Sequence, residues 1–192
     1  MNADTLQIDK SCLLLIVDIQ EKLFNVMSDP ERIEKRIHLM IELSKCFEIP
    51  VLLTEQYPQG LGPTIQSIRN GLPRYQPFEK TSFSIWGDAG IREKLKFHAS
   101  RKIVLTGIES HICVLQSCLD LLGAGYAVWI PYDAVDSRNR EDCRIGLNLM
   151  ERAGAVISGC ETIAFQLLKK SGTPEFKHIS KIIKAMQDPK RR

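Results

Sequence analysis

The stretch KIVLTGIESHICVLQSCLDLLGAGYAVWI, residues 102–130, reads as one strand, one helix and a second strand. Lys102–Leu105 is a short apolar run, too short for a helix and rich in β-branched residues, which is the pattern of a buried strand. Gly107 closes it. Ser110–Leu122 then repeats apolar residues at three- and four-residue spacing, as a helix packed on a sheet does, and Tyr126–Ile130 is a second buried run. A strand, a crossover helix and a strand make a right-handed βαβ unit with parallel strands.

The alternation continues on both sides. Cys12–Val17 (CLLLIV), Pro50–Leu53 and Ala155–Ile157 read as further buried strands, and Glu31–Phe47, Asp88–His98 and Asn139–Ala153 as amphipathic helices. The pattern predicts a three-layer α/β fold, a mostly parallel sheet with helices on both faces. Tyr57–Phe83 breaks the alternation with Pro58, Gly60, Gly62, Pro63, Gly71, Pro73 and Pro77, and is expected to be loop with one short helix and one short strand. Long loops in compact domains are often functional. From Ser171 onward, Phe176, Ile179, Ile182 and Ile183 fall at helical spacing, predicting a terminal helix docked through one apolar stripe. The 192 residues suggest a single domain, 1–192, with one core and one site.

The net charge of +3 is uneven. Residues 173–192 hold Lys177, Lys181, Lys184, Lys190, Arg191 and Arg192 against Glu175 and Asp188, so the rest of the chain is close to neutral. A near-neutral body argues against nucleic acid as a partner, and the basic end reads as solvated. No secretory leader and no bilayer-length apolar run is legible, so neither a membrane nor secretion is expected, and the location predicted is cytoplasmic. The six cysteines, Cys12, Cys46, Cys113, Cys118, Cys143 and Cys160, show no metal-type spacing. Packing is the default role of each.

Ligands of open parallel sheets bind at the carboxyl ends of strands. Asp18 directly follows the first strand, and Cys113 lies six residues past Gly107. Ser110 is a plausible N-cap, which would put the Cys113 thiol in the first helical turn and lower its pKa. Of the histidines His38, His98, His111 and His178, only His111 is near in sequence, and it falls on the opposite side of the helix. A carboxylate is therefore the better base, and Asp18 could accept the thiol proton or simply cap the next segment. Lys80, in PFEKTSFS at 77–84, could be solvated surface; a carboxylate and a thiolate held together nevertheless require a cation.

In this order, LLLIVDIQ (13–20), FEKTSFS (78–84) and VLTGIESHICVLQSCLDLLGAGYAVWIPYDAVDSR (104–138) resemble the isochorismatase-like cysteine hydrolases. TEQYPQGLGPT (54–64) is similar to the small stand-alone isochorismatase-domain proteins, and the resemblance runs from about Cys12 to Leu168. It implies a Rossmann-like sheet of six strands in order 3-2-1-4-5-6, with a short edge strand before Lys80. It implies a catalytic set of Asp18, Lys80 and Cys113, a cis peptide between Ile108 and Glu109, and an oxyanion hole from the amides of Glu109 and Cys113. The implied substrate is a small molecule with an amide-like C–N bond, opened through a thioester, with Tyr57, Phe83, Trp86 and His111 as candidates to line the pocket. No cofactor is expected. Nicotinamidases of this fold carry a metal after the second strand, where this chain reads Thr54-Glu55-Gln56-Tyr57-Pro58 without a histidine, so no catalytic metal is expected either. Isochorismatases proper lack the nucleophilic cysteine, which points away from isochorismate itself. A homo-oligomer is the expected assembly.

Overall fold

A computed structural model describes residues 6–98 and 101–186. Its centre is β1 (Leu13–Val17), apolar at every position because both of its faces are covered. Side chains alternate across a strand. Leu14 and Ile16 pack with Ile33, Ile37 and Ile41 of α2 (Pro30–Phe47), with Ile163 and Leu167 of α8 (Cys160–Leu168), and with Ile179 and Ile183 of α9 (Pro174–Met186). Leu13, Leu15 and Val17 pack with Ile91 and Leu95 of α5 (Ala89–Phe97), Cys118 and Leu121 of α6 (Leu115–Gly123), and Met150 of α7 (Arg140–Arg152).

The other strands are β2 (Val51–Gln56), β3 (Phe78–Lys80), β4 (Lys102–Ile108), β5 (Ala127–Pro131), β6 (Val135–Asp136) and β7 (Val156–Ser158). Their order is β3-β2-β1-β4-β5-β7, all pairs parallel, with β6 paired to the end of β4. The path is the expected one. The sheet has seven strands rather than six because the two-residue β6 enters the count between β5 and the last edge strand.

Several elements differ from the sequence reading. The stretch after β2 carries two short helices, α3 (Pro58–Leu61) and α4 (Gln66–Gly71), and another, α1 (Glu21–Phe24), follows β1. Helix α8 was not anticipated, because CETIAFQLL is apolar around most of its circumference and offers little polar face to set a period. The predicted helix from Ser110 is not continuous: Ser110–Val114 forms a π-type turn, and the α-helix proper begins at Leu115. Helix α9 docks as expected, with Ile179 and Ile183 buried against the core and Phe176 and Ile182 partly buried beside them. Lys190, Arg191 and Arg192, which complete the predicted basic tail, lie outside the described residues. Among the described residues no helix is long and apolar enough to cross a membrane.

Candidate active site

The site begins where β1 and β4 run side by side, with Val17 opposite Gly107. Gly107 has φ +120°, and a Cβ there would lie 2.1 Å from the Val17 carbonyl oxygen. Only glycine permits this approach. It brings the turn that follows β4 beside Asp18, which leaves β1 in the left-handed region at φ 53°, a conformation aspartate tolerates better than most residues. The capping alternative for Asp18 does not apply, because Gln20 occupies the N-cap position of α1.

Asp18 and Lys80 form an ion pair of 2.6 Å with both side chains fully buried. Parallel register supplies the partners. Thr54 stands opposite Val17 and donates its hydroxyl to Asp18 Oδ1 at 2.7 Å. Gln56 stands opposite Lys80, and its Oε1 accepts from Lys80 Nζ at 2.7 Å. The ammonium also donates to the carbonyls of Ser82 and Phe83 at 3.2 and 3.1 Å. Its three protons are therefore committed. Gln20 braces Gln56 in turn, donating to the Gln56 and Gly62 carbonyls and accepting from the Gln56 amide.

Cys113 completes the group, its thiol near enough to Asp18 to feel the carboxylate's charge. Burial, then the Asp18 carboxylate, push the thiol up to about 12; Lys80 pulls it down, and Glu109 adds to the rise. The expectation of a lowered thiol pKa is overturned. Cys113 lies in the π-type turn, where the amides of Ile112 and Val114 both go to the Glu109 carbonyl at 3.1 and 3.2 Å, and desolvation by the packed sheet end outweighs the pull of the helix terminus. Gly146 of α7 supports this turn from behind: a Cβ there would lie 3.0 Å from the His111 Cα. The Ile108–Glu109 peptide is cis.

The four predicted pocket residues are less uniform. Tyr57 and Phe83 are exposed, and both reach Lys80 through backbone, the Tyr57 amide to its carbonyl and the Phe83 carbonyl from its ammonium. Trp86 stacks edge-on against Tyr126 with centroids 6.0 Å apart. His111 is half-buried, its Nδ1 2.9 Å from Ser137 Oγ. Gln20, Thr54 and Gln56 were missed as site residues. Their one signal was a polar run, TEQ, continuing a buried strand. At the position that holds metal in nicotinamidases, Glu55 Oε1 instead accepts from the Thr64 amide and hydroxyl and the Tyr75 hydroxyl. Among the described residues no group of three or more His, Cys, Asp or Glu is placed to hold a metal.

Comparison with known proteins places the fold in a family. The isochorismatase domain model matches residues 12–162. Isochorismatase family protein 1A of Dictyostelium discoideum is 40% identical over 171 residues, covering 87% of this chain and 83% of that protein. The structure described as MAR1 ribonuclease from Caenorhabditis elegans superposes with a TM-score of 0.87 at 34% identity, covering 95% of this chain and 94% of that one. YcaC of Escherichia coli, described as an octameric hydrolase of unknown specificity, shares the fold at a TM-score of 0.82 and 18% identity, covering 95% of this chain and 98% of that one. The chain belongs to the isochorismatase family and has its hydrolase fold.

Proposed function

We propose that this protein is a cysteine hydrolase that opens an amide-like C–N bond in a small molecule through a thioester. The observation that carries the reading is the buried Asp18–Lys80 pair at 2.6 Å with the Cys113 thiol close enough to be influenced by both charges. A thiol raised to about 12 rests protonated at neutral pH, so the chemistry requires a base that acts as sulfur attacks. Asp18 takes the proton, sulfur bonds to the carbonyl carbon, and the oxyanion forms against the amides of Glu109 and Cys113. The C–N bond then breaks as Asp18 returns the proton to the leaving amine. Water, deprotonated by Asp18, next attacks the thioester, and the acid leaves as the thiol regains its proton. Lys80, its donors already committed, keeps the Asp18 carboxylate oriented and balances the charge that develops on sulfur.

These groups and water complete the cycle within one domain. The six free thiols suit a reducing, cytoplasmic setting. The octameric state of YcaC supports assembly of this chain as a homo-oligomer, as do exposed Leu119 on α6 and Ile145 and Leu149 on α7.

The test is a screen of small amides, ureides, carbamates and esters with wild type and Cys113→Ala in parallel, with mass spectrometry to trap an acyl adduct on Cys113. Turnover lost in Cys113→Ala, together with the adduct, is the expected result. RNA belongs in the same screen, because the worm relative is named a ribonuclease. RNA cleavage that needs Cys113, or no turnover in any class, would replace the amide reading with a nuclease or a non-catalytic scaffold.

A further inference from the structure

Three successive residues at and after β6 are fastened to three successive residues of the turn that carries Cys113. The Asp136 carbonyl accepts from Ser110 Oγ at 3.0 Å, and Ser137 Oγ lies 2.9 Å from His111 Nδ1. Arg138 donates its backbone amide and its Nε to one oxygen of Glu109, both at 3.1 Å. The first two contacts hold the turn in place. The third does something further.

Glu109 is 5% exposed, and its negative charge opposes ionisation of Cys113. A second buried carboxylate is a poor neighbour for a nucleophile that must become a thiolate. What it accomplishes is to grip an arginine at two points. The Arg138 side chain is 60% exposed, and an arginine so placed is ordinarily free to sample many rotamers. Here the shared oxygen holds both the backbone and the Nε of the arginine, restraining the side chain. A guanidinium has five N–H donors. Glu109 takes the one on Nε, and the terminal Nη1 and Nη2 have no partner among the described residues. Lys80, the other cation of the site, has no donor left to offer a ligand. Arg138 is thus a restrained cation beside this turn with its terminal donors still open, at the carboxyl end of the sheet where ligands of this architecture bind.

Resting on the hydrolase reading above, we infer that Arg138 is a specificity-determining residue that receives a carboxylate of the substrate, so that the substrate class is a small amide carrying an acid group away from the scissile bond. Glu109 is the positioning residue that aims it. The geometry matches bidentate carboxylate recognition, which combines charge with two parallel hydrogen bonds. Such pre-organisation lessens the ordering that binding would otherwise require.

The test needs no knowledge of the natural substrate. Iodoacetyl-glycine and its neutral partner iodoacetyl-glycinamide carry the same electrophile and differ in one charge. Labelling rates of Cys113 and of the half-buried Cys46 are measured on the full chain by peptide mass spectrometry, Cys46 serving as the internal standard. Relative to Cys46, Cys113 in the wild type should favour the acid over the amide by about tenfold, the scale of one charge-assisted pair at a partly exposed site. Arg138→Gln should abolish that preference while leaving amide labelling unchanged. Arg138→Lys, which keeps the charge without the fork, should retain only a small part of it and serves if the glutamine variant does not fold. No preference in the wild type, or the same preference in a folded Arg138→Gln, overturns the inference while Cys113 stands as the nucleophile. If neither probe labels Cys113 anywhere between about pH 7 and 10 while Cys46 reacts normally, the nucleophile assignment has failed, and the inference falls with it.

Discussion

Asp18 and Asp136 are both buried carboxylates at strand ends, both hydrogen-bonded by a side-chain hydroxyl and both facing a cation. Asp136 accepts from Ser28 Oγ at 2.7 Å and the Asp29 amide at 2.8 Å, and Arg32 Nη2 lies 3.4 Å away. It ties the start of α2 to β6. Asp18 has Thr54, Lys80 and Cys113. Burial and an ion pair are therefore common to an anchor and to the proposed base, and neither feature tells them apart. The partner decides. A serine hydroxyl, an amide and a guanidinium hold their protons throughout the physiological range, whereas a thiol can surrender one to the carboxylate when an electrophile arrives.

The sharpest way to break this comparison is to neutralise each carboxylate. Asp18→Asn preserves shape and removes the base, so acylation of a confirmed substrate should fall by roughly 10²–10⁴-fold per folded molecule, and the melting temperature should fall as well because Lys80 is left buried without its counter-charge. A folded Asp18→Asn with near wild-type turnover would refute the mechanism, and Glu109 would be the next carboxylate to test. Asp136→Ala should cost stability alone. It strands a serine, an amide and an arginine at the foot of α2, with a loss of about 2–4 kcal/mol in denaturant unfolding and turnover per folded molecule retained. If it instead abolished turnover in folded protein, the anchor would be part of the site.

A third test concerns the thiols. Cys113 is buried and raised to about 12, whereas Cys46 is half-buried and raised less. Iodoacetamide at neutral pH should therefore modify Cys46 before Cys113. Between pH 7 and 10 the Cys113 rate should climb by about tenfold per unit with no plateau, because the thiolate fraction grows in that proportion below the pKa. A plateau near neutral pH would mean a preformed thiolate. The smallest effect belongs to a third buried carboxylate, Glu55. Tyr75→Phe removes one of its three donors and a phenol that burial, then the Glu55 bond, raises to about 12. We expect a loss of about 1 kcal/mol on unfolding and no change in turnover.

The sequence carried much of the frame and only part of the site. The buried runs of β1, β4 and β5 and the spacing in α2 and α7 were legible because both faces of the sheet are covered and the helices keep one wet side. Asp18, Lys80 and Cys113 were named from strand ends and from resemblance. The residues that serve them were not, because Thr54 meets Asp18 and Gln56 meets Lys80 only through the registers of β2 with β1 and β3. Spacing along one strand contains no information about its neighbour's offset. The thiol misled for a related reason. Helical periodicity from Ser110 predicts a first turn with open amides, but the chain widens into a π-type turn there and buries the sulfur against two carboxylates.

The contact at Gly107 makes the backbone a ruler for the chemistry. Asp18 and Cys113, the proposed base and nucleophile, follow adjacent strands on either side of the point where a Cβ would come within 2.1 Å of the Val17 oxygen. Their separation is therefore set by two strands touching, not by the reach of long side chains. An alanine at 107 would leave Asp18, Lys80 and Cys113 all present in the chain and wedge the pair apart. The site can thus be lost without losing any residue proposed to perform the reaction, and a position with no side chain limits which sequences can keep it.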